Sequence, residues 1–368
     1  MENIQHRFGA YIKIHWKTIV FLGVVLITIG LVDQFVDSYI RRLLNLCAIY
    51  TIISLGMNLV NGFTGQFSLG QAGFMAVGAY TVAVFTVPIE ARATIFYLAP
   101  MSPLLANIHL PFIVALLLGG LISAGFAFLI GSPCFRLRGD YLAIATLGFS
   151  EIIRIVFTNT QTITNGALGI KSIPTITSLW WTYGIAIIII VLTVLLINSS
   201  YGRAFKSIRE DEIAAEAMGV GLFKTKMTSF MISAFFTGIG GGLFAALLGT
   251  VDPKQFYFTL TYNFLLIIVL GGMGSISGTV IASFIVTLGQ EWLRFLDEPM
   301  AFGLDLPIFR PGLRMVVFSA LLMVIVLFYR KGLMGTNELT WDFIDKKIKT
   351  IKSKFNRKKT STQGGDDK

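Results

Sequence analysis

Long runs of apolar residues recur along this sequence, and they limit its fold more than any other feature does. Several approach or exceed the roughly 20 residues that an α-helix needs to cross a bilayer. Hydrophobic residues make up 54% of the chain and charged residues only 14%, against about 25% charged in soluble proteins. We therefore predict an all-α, polytopic transmembrane bundle with about eight full spans, which begin near residues 18, 43, 74, 111, 141, 181, 228 and 313.

Charge divides the chain into three parts: a polar segment 1–17, a transmembrane domain 18–335 and a basic tail 336–368. From Arg330 onward the sequence has eleven Lys or Arg and five Asp or Glu. A basic segment after a last span is typical of the cytoplasmic side, so the net charge of +10 does not indicate nucleic-acid binding. We expect both termini to be cytoplasmic. If both termini are cytoplasmic, the number of spans requires residues 260–288 to enter the membrane and return to the same side, as a re-entrant pair of half-helices.

Two glycine-rich stretches interrupt these runs, at 62–73 and at 271–278. Glycine disfavours continuous helix, and irregular backbone at membrane depth is tolerated where it is buried in protein or lines a wet cavity. The alternative is that the glycines only let helices pack closely. A faint likeness between 65–70 and 274–278 suggests a weak internal repeat, as in transporters. The pattern predicts a substrate pathway along Gly65, Gln66, Ser68, Gly70, Gly271, Gly272, Gly274, Ser275 and Ser277.

A polar loop, 199–227, separates two of the apolar runs. Ser207 and Glu210 have the spacing of a capping box, and Gly219 suits a left-handed helix end. We predict one helix over 208–218, about 16 Å long. Its apolar stripe comprises Ala204, Ile208, Ala215, Met218 and Leu222. A soluble partner protein could bind a short amphipathic helix of this kind.

The stretches 202–204 and 208–219 resemble the cytoplasmic coupling segment of ABC-importer permeases, in particular the branched-chain amino-acid (LivM-type) family. The run Gly62 to Phe74 resembles that family's Gly-x-x-Gly-Gln-x-Ser-x-Gly-x-x-x-Phe signature. The resemblance implies a bacterial inner-membrane subunit that pairs with a second permease as a heterodimer. It also implies two ATP-binding subunits, an external solute-binding protein and an amino-acid substrate. The ATPase would contact Arg209, Glu212, Ala215, Glu216 and Gly219.

Nothing in the sequence suggests an enzyme, a cofactor or a metal site. It has no Gly-x-x-x-x-Gly-Lys-Ser/Thr phosphate-binding loop, and its three histidines are scattered. A related permease for urea or short amides remains open, as does a self-sufficient secondary transporter, with a channel third. A secondary transporter usually needs intramembrane carboxylates. Glu151 is nearly alone in the spans, and its spacing from Arg154 favours a structural ion pair over a substrate contact.

Overall fold

The computed structural model describes residues 23–25, 27–135, 141–297, 312–328, 332–335 and 338–339. The expected segment 1–17, the first residues of the first span and the basic tail other than residues 338–339 lie outside these ranges. Within them the protein is helical, and its one pair of extended residues is an isolated bridge between Ile170 and Val251. The predicted all-α class is confirmed.

Fifteen α-helices are described and are numbered here in chain order. They are α1 Gly23–Phe35, α2 Ser38–Asn58, α3 Gln71–Thr86, α4 Ile89–Ile95, α5 Pro103–Ala106, α6 Phe112–Cys134, α7 Tyr141–Asn159, α8 Gln161–Thr164, α9 Leu179–Asn198, α10 Ser200–Glu210, α11 Glu212–Ala217, α12 Leu222–Leu248, α13 Phe258–Gly271, α14 Ile276–Trp292 and α15 Leu313–Phe328. A π-helical turn, Leu59–Phe63, extends α2.

The helices establish a protein that crosses a membrane several times. Five of the described segments are long and apolar enough to span: α2 with its π turn, α6, α7, α9 and α12. A sixth results if α3 and α4 form one broken span, since they bend by 116° across a short break. Length and composition thus account for five or six of the eight expected spans.

Helix α12 lies at the centre of the bundle, against α2, α3 and α6. Glycines on its surface allow close approach of the neighbouring backbones. A Cβ atom added to Gly78 of α3 would overlap the backbone of Gly238, and one added to Gly241 would overlap the carbonyl of Met75. The core therefore depends on small residues where α3 crosses α12.

The bundle has two distinct ends. At one, α9 passes into α10 through Ser199, α12 begins, and α13 turns into α14; we call this the α10 end. At the opposite end α12 stops at Gly249, and the next residues pair with the loop before α9 through the Ile170–Val251 bridge. The expected external loop 90–110 lies at this opposite end and contains α5 and most of α4.

Two charged groups have structural roles within this frame. Glu151 and Arg154 form the predicted ion pair on α7, at 2.7 Å, and Glu151 also accepts from the amide of Phe258 at 3.2 Å. The buried guanidinium of Arg92 binds backbone carbonyls, because no carboxylate pairs with it among the described residues. The acceptors are Val84, Val87, Leu105, Ala106 and Ile108. Glu151 therefore links α7 to the start of α13, and Arg92 links the end of α3 to residues 105–108.

Candidate functional site

The polar loop forms two helices, so the prediction of one helix over 208–218 is wrong. The chain is extended at Asp211, with φ −157° and ψ 115°, between α10 and α11. The Asp211 carboxylate accepts from the amides two and three residues later, at 2.9 and 3.0 Å, and so caps α11. Ser207 does not cap: its hydroxyl donates back to the carbonyl of Ala204 at 2.9 Å. Gly219 has the predicted left-handed conformation, with φ +86°.

The faces of α11 differ from the predicted stripe. Ala215 is 4% exposed and packs against its own chain, whereas Ile213 is 81% exposed and Met218 is 85% exposed. Glu216 is exposed as well, and Glu212 pairs with Lys226 at the start of α12. The surface that a partner could reach is therefore built around Ile213 and Met218, and Ala215 is not part of it.

Arg209 points into the protein, toward the first glycine stretch. Its Nη1 donates to the carbonyl of Gly62 at 3.3 Å, while its other nitrogens bind Glu210 at 3.1 and 2.6 Å. Gly65 has φ +74°, and a Cβ added there would lie 2.8–3.1 Å from the Cγ, Cα and Cβ of Arg209. Only glycine fits this combination of positive φ and close contact. The polar loop 199–227 and the first glycine stretch thus touch directly.

The second glycine stretch meets the first at the same place. Asn58, which is fully buried, accepts from the amide of Gly274 at 2.9 Å. Its side-chain nitrogen donates to the carbonyl of Ser275 at 2.9 Å and to the hydroxyl of Thr279 at 2.8 Å. A Cβ added to Gly274 would lie 2.9 Å from Nη1 of Arg209. We call this cluster the glycine junction: Asn58, Gly62, Gly65, Arg209, Gly274 and Ser275.

Sequence reasoning did not select Asn58. It lies four residues before Gly62, at the end of α2, and a polar side chain within a span is costly unless it finds a partner. A polar residue at this position, within a predicted span and close to a glycine stretch, was the sequence feature that could have indicated its role. Its hydrogen bonds to Gly274 and Ser275 of the second stretch, and to Thr279 just after it, explain why an asparagine is present there.

Residues 64–70 are not helical, as the glycine spacing predicts. They begin beside Arg209 and end at α3, whose first residue, Gln71, binds Ser233 and Thr237 near the middle of α12. The irregular backbone therefore rises from the α10 end to mid-bundle, where α3 begins. Ser68 is buried, and its hydroxyl accepts from the amide of Gly70 at 3.5 Å.

Gln66 is the exception in this stretch. It is 7% exposed, and neither polar atom of its side-chain amide has a hydrogen-bond partner. A buried amide without partners is costly. Of the side chains predicted for the substrate pathway, Gln66 is the one available to bind a further group.

The second stretch connects α13 and α14 as a helical hairpin. Gly271 and Gly278 touch at the turn, and Gln290 donates to Asn263 at 3.4 Å further along, so the helices run antiparallel. Ser275 caps α14 by accepting from the amide of Gly278 at 3.0 Å. The hydroxyls of Ser275 and Ser277 are thus engaged within the chain. Among the described residues, no three His, Cys, Asp or Glu side chains come together as metal ligands.

Comparison with known proteins gives the family. The sequence model of the protein family described as the permease component of branched-chain amino acid transport systems matches residues 39–327. The LivM permease proteins of high-affinity branched-chain amino acid transport systems from Salmonella typhimurium and Escherichia coli are each 37% identical to this chain, over 68% and 69% of it. A guanosine ABC transporter permease, NupQ of Bacillus subtilis, is 24% identical over 50% of this chain and 59% of its own length.

The chain spans 62% and 63% of the length of the two LivM proteins. No solved structure matches it. The family match covers both glycine stretches, the polar loop 199–227 and the helices from α2 through α14, apart from the first residue of α2. This chain belongs to the family of branched-chain amino acid transport system permease components.

Proposed function

We propose that the chain is the membrane-spanning permease of an ATP-driven ABC importer for branched-chain and other hydrophobic amino acids. It would pair with a second permease subunit as a heterodimer and work with two ATP-binding subunits and an external solute-binding protein in a bacterial inner membrane. ATP would be hydrolysed on the separate subunits. The observation that carries the proposal is the glycine junction, where the polar loop 199–227, here called the coupling loop, contacts both broken stretches.

The proposed topology has eight crossings and one hairpin. The crossings are α1, α2, α3, α6, α7, α9, α12 and α15, and α13–α14 enters and returns to the side from which it came. Two observations support cytoplasmic placement of the α10 end. Five Lys or Arg lie in 199–227, and Glu338, at the start of the basic tail, lies beside the α13–α14 turn.

The proposed ATPase contact is the exposed face of α11, with Glu212, Glu216 and Gly219 around Ile213 and Met218. An apolar side chain on a short cytoplasmic helix supports docking, because a partner groove would remove it from water. Arg209 and Ala215, both in the predicted contact set, instead face the permease. We infer that they fix the orientation of the loop.

Substitution of Ile213 tests this contact. In the assembled transporter, Ile213→Asp should abolish copurification of the ATPase and solute uptake, because a charge would be buried in an apolar contact. Tyr201→Asp is the matched control, since Tyr201 is 60% exposed on neighbouring α10. This variant should retain both the bound ATPase and solute uptake. Normal uptake by Ile213→Asp, with the ATPase still bound, would contradict the proposal.

The proposed solute pathway follows the two glycine stretches, through Gly65, Gln66, Ser68, Gly70, Gly271, Gly272, Gly274, Ser275 and Ser277. Backbone dipoles and half-helix ends can meet the charged groups of a zwitterion without fixed charges. Support comes from the start of α3 at mid-bundle and from the unpartnered amide of Gln66. Gln66→Leu should reduce uptake several-fold while leaving the complex assembled; unchanged kinetics would remove Gln66 from the pathway.

The cargo is tested separately from the machinery. Uptake of radiolabelled leucine should be competed by isoleucine and valine, and not by urea or guanosine. The guanosine permease among the relatives makes a nucleoside the informative competitor. Competition by urea or guanosine, without competition by isoleucine, would replace the cargo assignment and leave the permease assignment intact. Uptake that persists with a hydrolysis-deficient ATPase would instead indicate a secondary transporter.

A further inference from the structure

The chain beyond α15 returns to the α13–α14 turn and pairs with it. The amide of Leu333 donates to the carbonyl of Leu270 at 2.7 Å, and that of Met334 donates to the carbonyl of Gly271 at 3.1 Å. These two carbonyls lie at the end of α13, where the last carbonyls of a helix find no amide donor within the helix itself. Residues from after the last span therefore complete the hydrogen bonding of this helix end.

Close backbone contact holds the same segment in place. A Cβ added to Gly332 would lie 2.6 Å from both the Cα and the amide nitrogen of Gly272. One added to Gly272 would lie 2.5 Å from the carbonyl oxygen of Gly335. Side chains at these positions would force the two segments apart, so the fit depends on glycine on both sides.

A carboxylate completes the attachment. Glu338 accepts from the amide of Ile276 at 2.6 Å, from the amide of Ser277 at 3.0 Å and from the hydroxyl of Ser277 at 2.7 Å. The amide of Leu339 in turn donates to the Ser277 hydroxyl at 3.1 Å. Negative charge is favourable at the first turn of a helix, where amides point outward. Glu338 thus caps α14 from a distant part of the chain.

The turn between α13 and α14 is consequently held from two sides. Arg209 lies against Gly274 on the side of the coupling loop. On the other side lie the described parts of 332–339, namely 332–335 and 338–339, which we call the clasp. Any displacement that Arg209 transmits to the turn must also move the clasp or break its hydrogen bonds.

We propose that the clasp sets the resting position of the α13–α14 turn and that Glu338 is a positioning residue for the transport cycle. The inference rests on the proposed import function and adds a restraint on it. With Glu338 in place, the turn moves only when the docked ATPase drives the coupling loop. Without it, the turn moves independently, and ATP is hydrolysed without solute transport.

The test uses the complete transporter in proteoliposomes and measures ATP hydrolysed per solute transported. Glu338→Gln keeps the shape and removes the charge, and Glu338→Ala removes the cap. Both should raise solute-independent hydrolysis and lower solute transported per ATP, by several-fold for Glu338→Ala. Ser277→Ala should act in the same direction but less strongly, and adding it to Glu338→Ala should change little further, because the two side chains share one contact.

Asp252→Ala is the matched control, because Asp252 also caps a helix. That helix is the short 3-10 helix Pro253–Phe256, at the opposite end of the bundle. The Asp252→Ala variant should leave the transport ratio unchanged. If Glu338→Ala does not assemble, Glu338→Gln and Ser277→Ala decide the question, since each retains part of the cap. An unchanged ratio in the assembled variants refutes the clasp, whereas the import function fails if uptake persists with a hydrolysis-deficient ATPase.

Discussion

Replacement of Asn58 by alanine should destabilise the protein more than replacement of any comparable asparagine in α2. The change removes three buried hydrogen bonds and leaves the amide of Gly274 without its acceptor. Hydrogen bonds between membrane helices contribute about 0.6 kcal/mol each on average, and a stranded buried donor costs about 1–3 kcal/mol. The expected loss for Asn58→Ala is therefore about 3–5 kcal/mol.

Asn45 is the matched control on the same helix, because it is also buried but accepts one hydrogen bond, from Thr182 at 2.6 Å. The Thr182 hydroxyl has a second acceptor, the carbonyl of Ser178 at 2.9 Å, so Asn45→Ala strands no donor. Its expected cost is about 1 kcal/mol.

Unfolding can be followed in detergent with a fluorogenic thiol reagent, because both cysteines, Cys47 and Cys134, are buried in the folded protein. At about 2.1 cal/mol/K of unfolding entropy per residue, 1 kcal/mol corresponds to about 1.3 °C in Tm for a chain of 368 residues. Asn58→Ala should lower Tm by about 4–6 °C, and Asn45→Ala by about 1 °C. Equal shifts for the two variants would refute the view that Asn58 ties the two glycine stretches together.

Two further predictions concern packing and orientation. Gly78→Ala should prevent normal assembly, since the new methyl group would overlap Gly238, whereas Gly148→Ala, with nothing within 4 Å, should be tolerated; equal expression and Tm would contradict this. In a chain whose native cysteines are replaced by serine, an impermeant thiol reagent applied to intact cells should label Lys171→Cys and not Glu216→Cys. The reverse pattern would invert the proposed topology.

Local sequence was sufficient for the class, the ion pair on α7 and the interruption at 64–70, because each depends on composition or on spacing over a few residues. The same holds for Gly219, whose left-handed conformation few residues other than glycine adopt readily. The break at Asp211 was different. Ser207 and Asp211 are both good caps, and their spacing along the sequence does not decide between them.

Other features depend on contacts between distant parts of the chain. The apolar stripe indicated which face of α11 should be covered, but periodicity cannot tell whether the chain itself or a partner covers Ala215. Asn58 bonds to a residue 217 positions away, and Glu338 to one 62 positions away. No local spacing rule encodes such pairs, so the glycine junction and the clasp required three-dimensional structure.

The contact between Arg209 and Gly65 has a mechanical consequence. A Cβ atom added to Gly65 would meet the Cα, Cβ and Cγ atoms of Arg209, so Gly65 lies against the base of that side chain, where Cα and Cβ are fixed to the α10 backbone. The outer atoms of a long side chain can stay in place during a small helix movement because the bonds beyond Cβ rotate. The Cα and Cβ atoms cannot, since they move with the helix. Under the proposed function, a movement of α10 would therefore displace the first glycine stretch directly, without first reorienting the outer part of the Arg209 side chain.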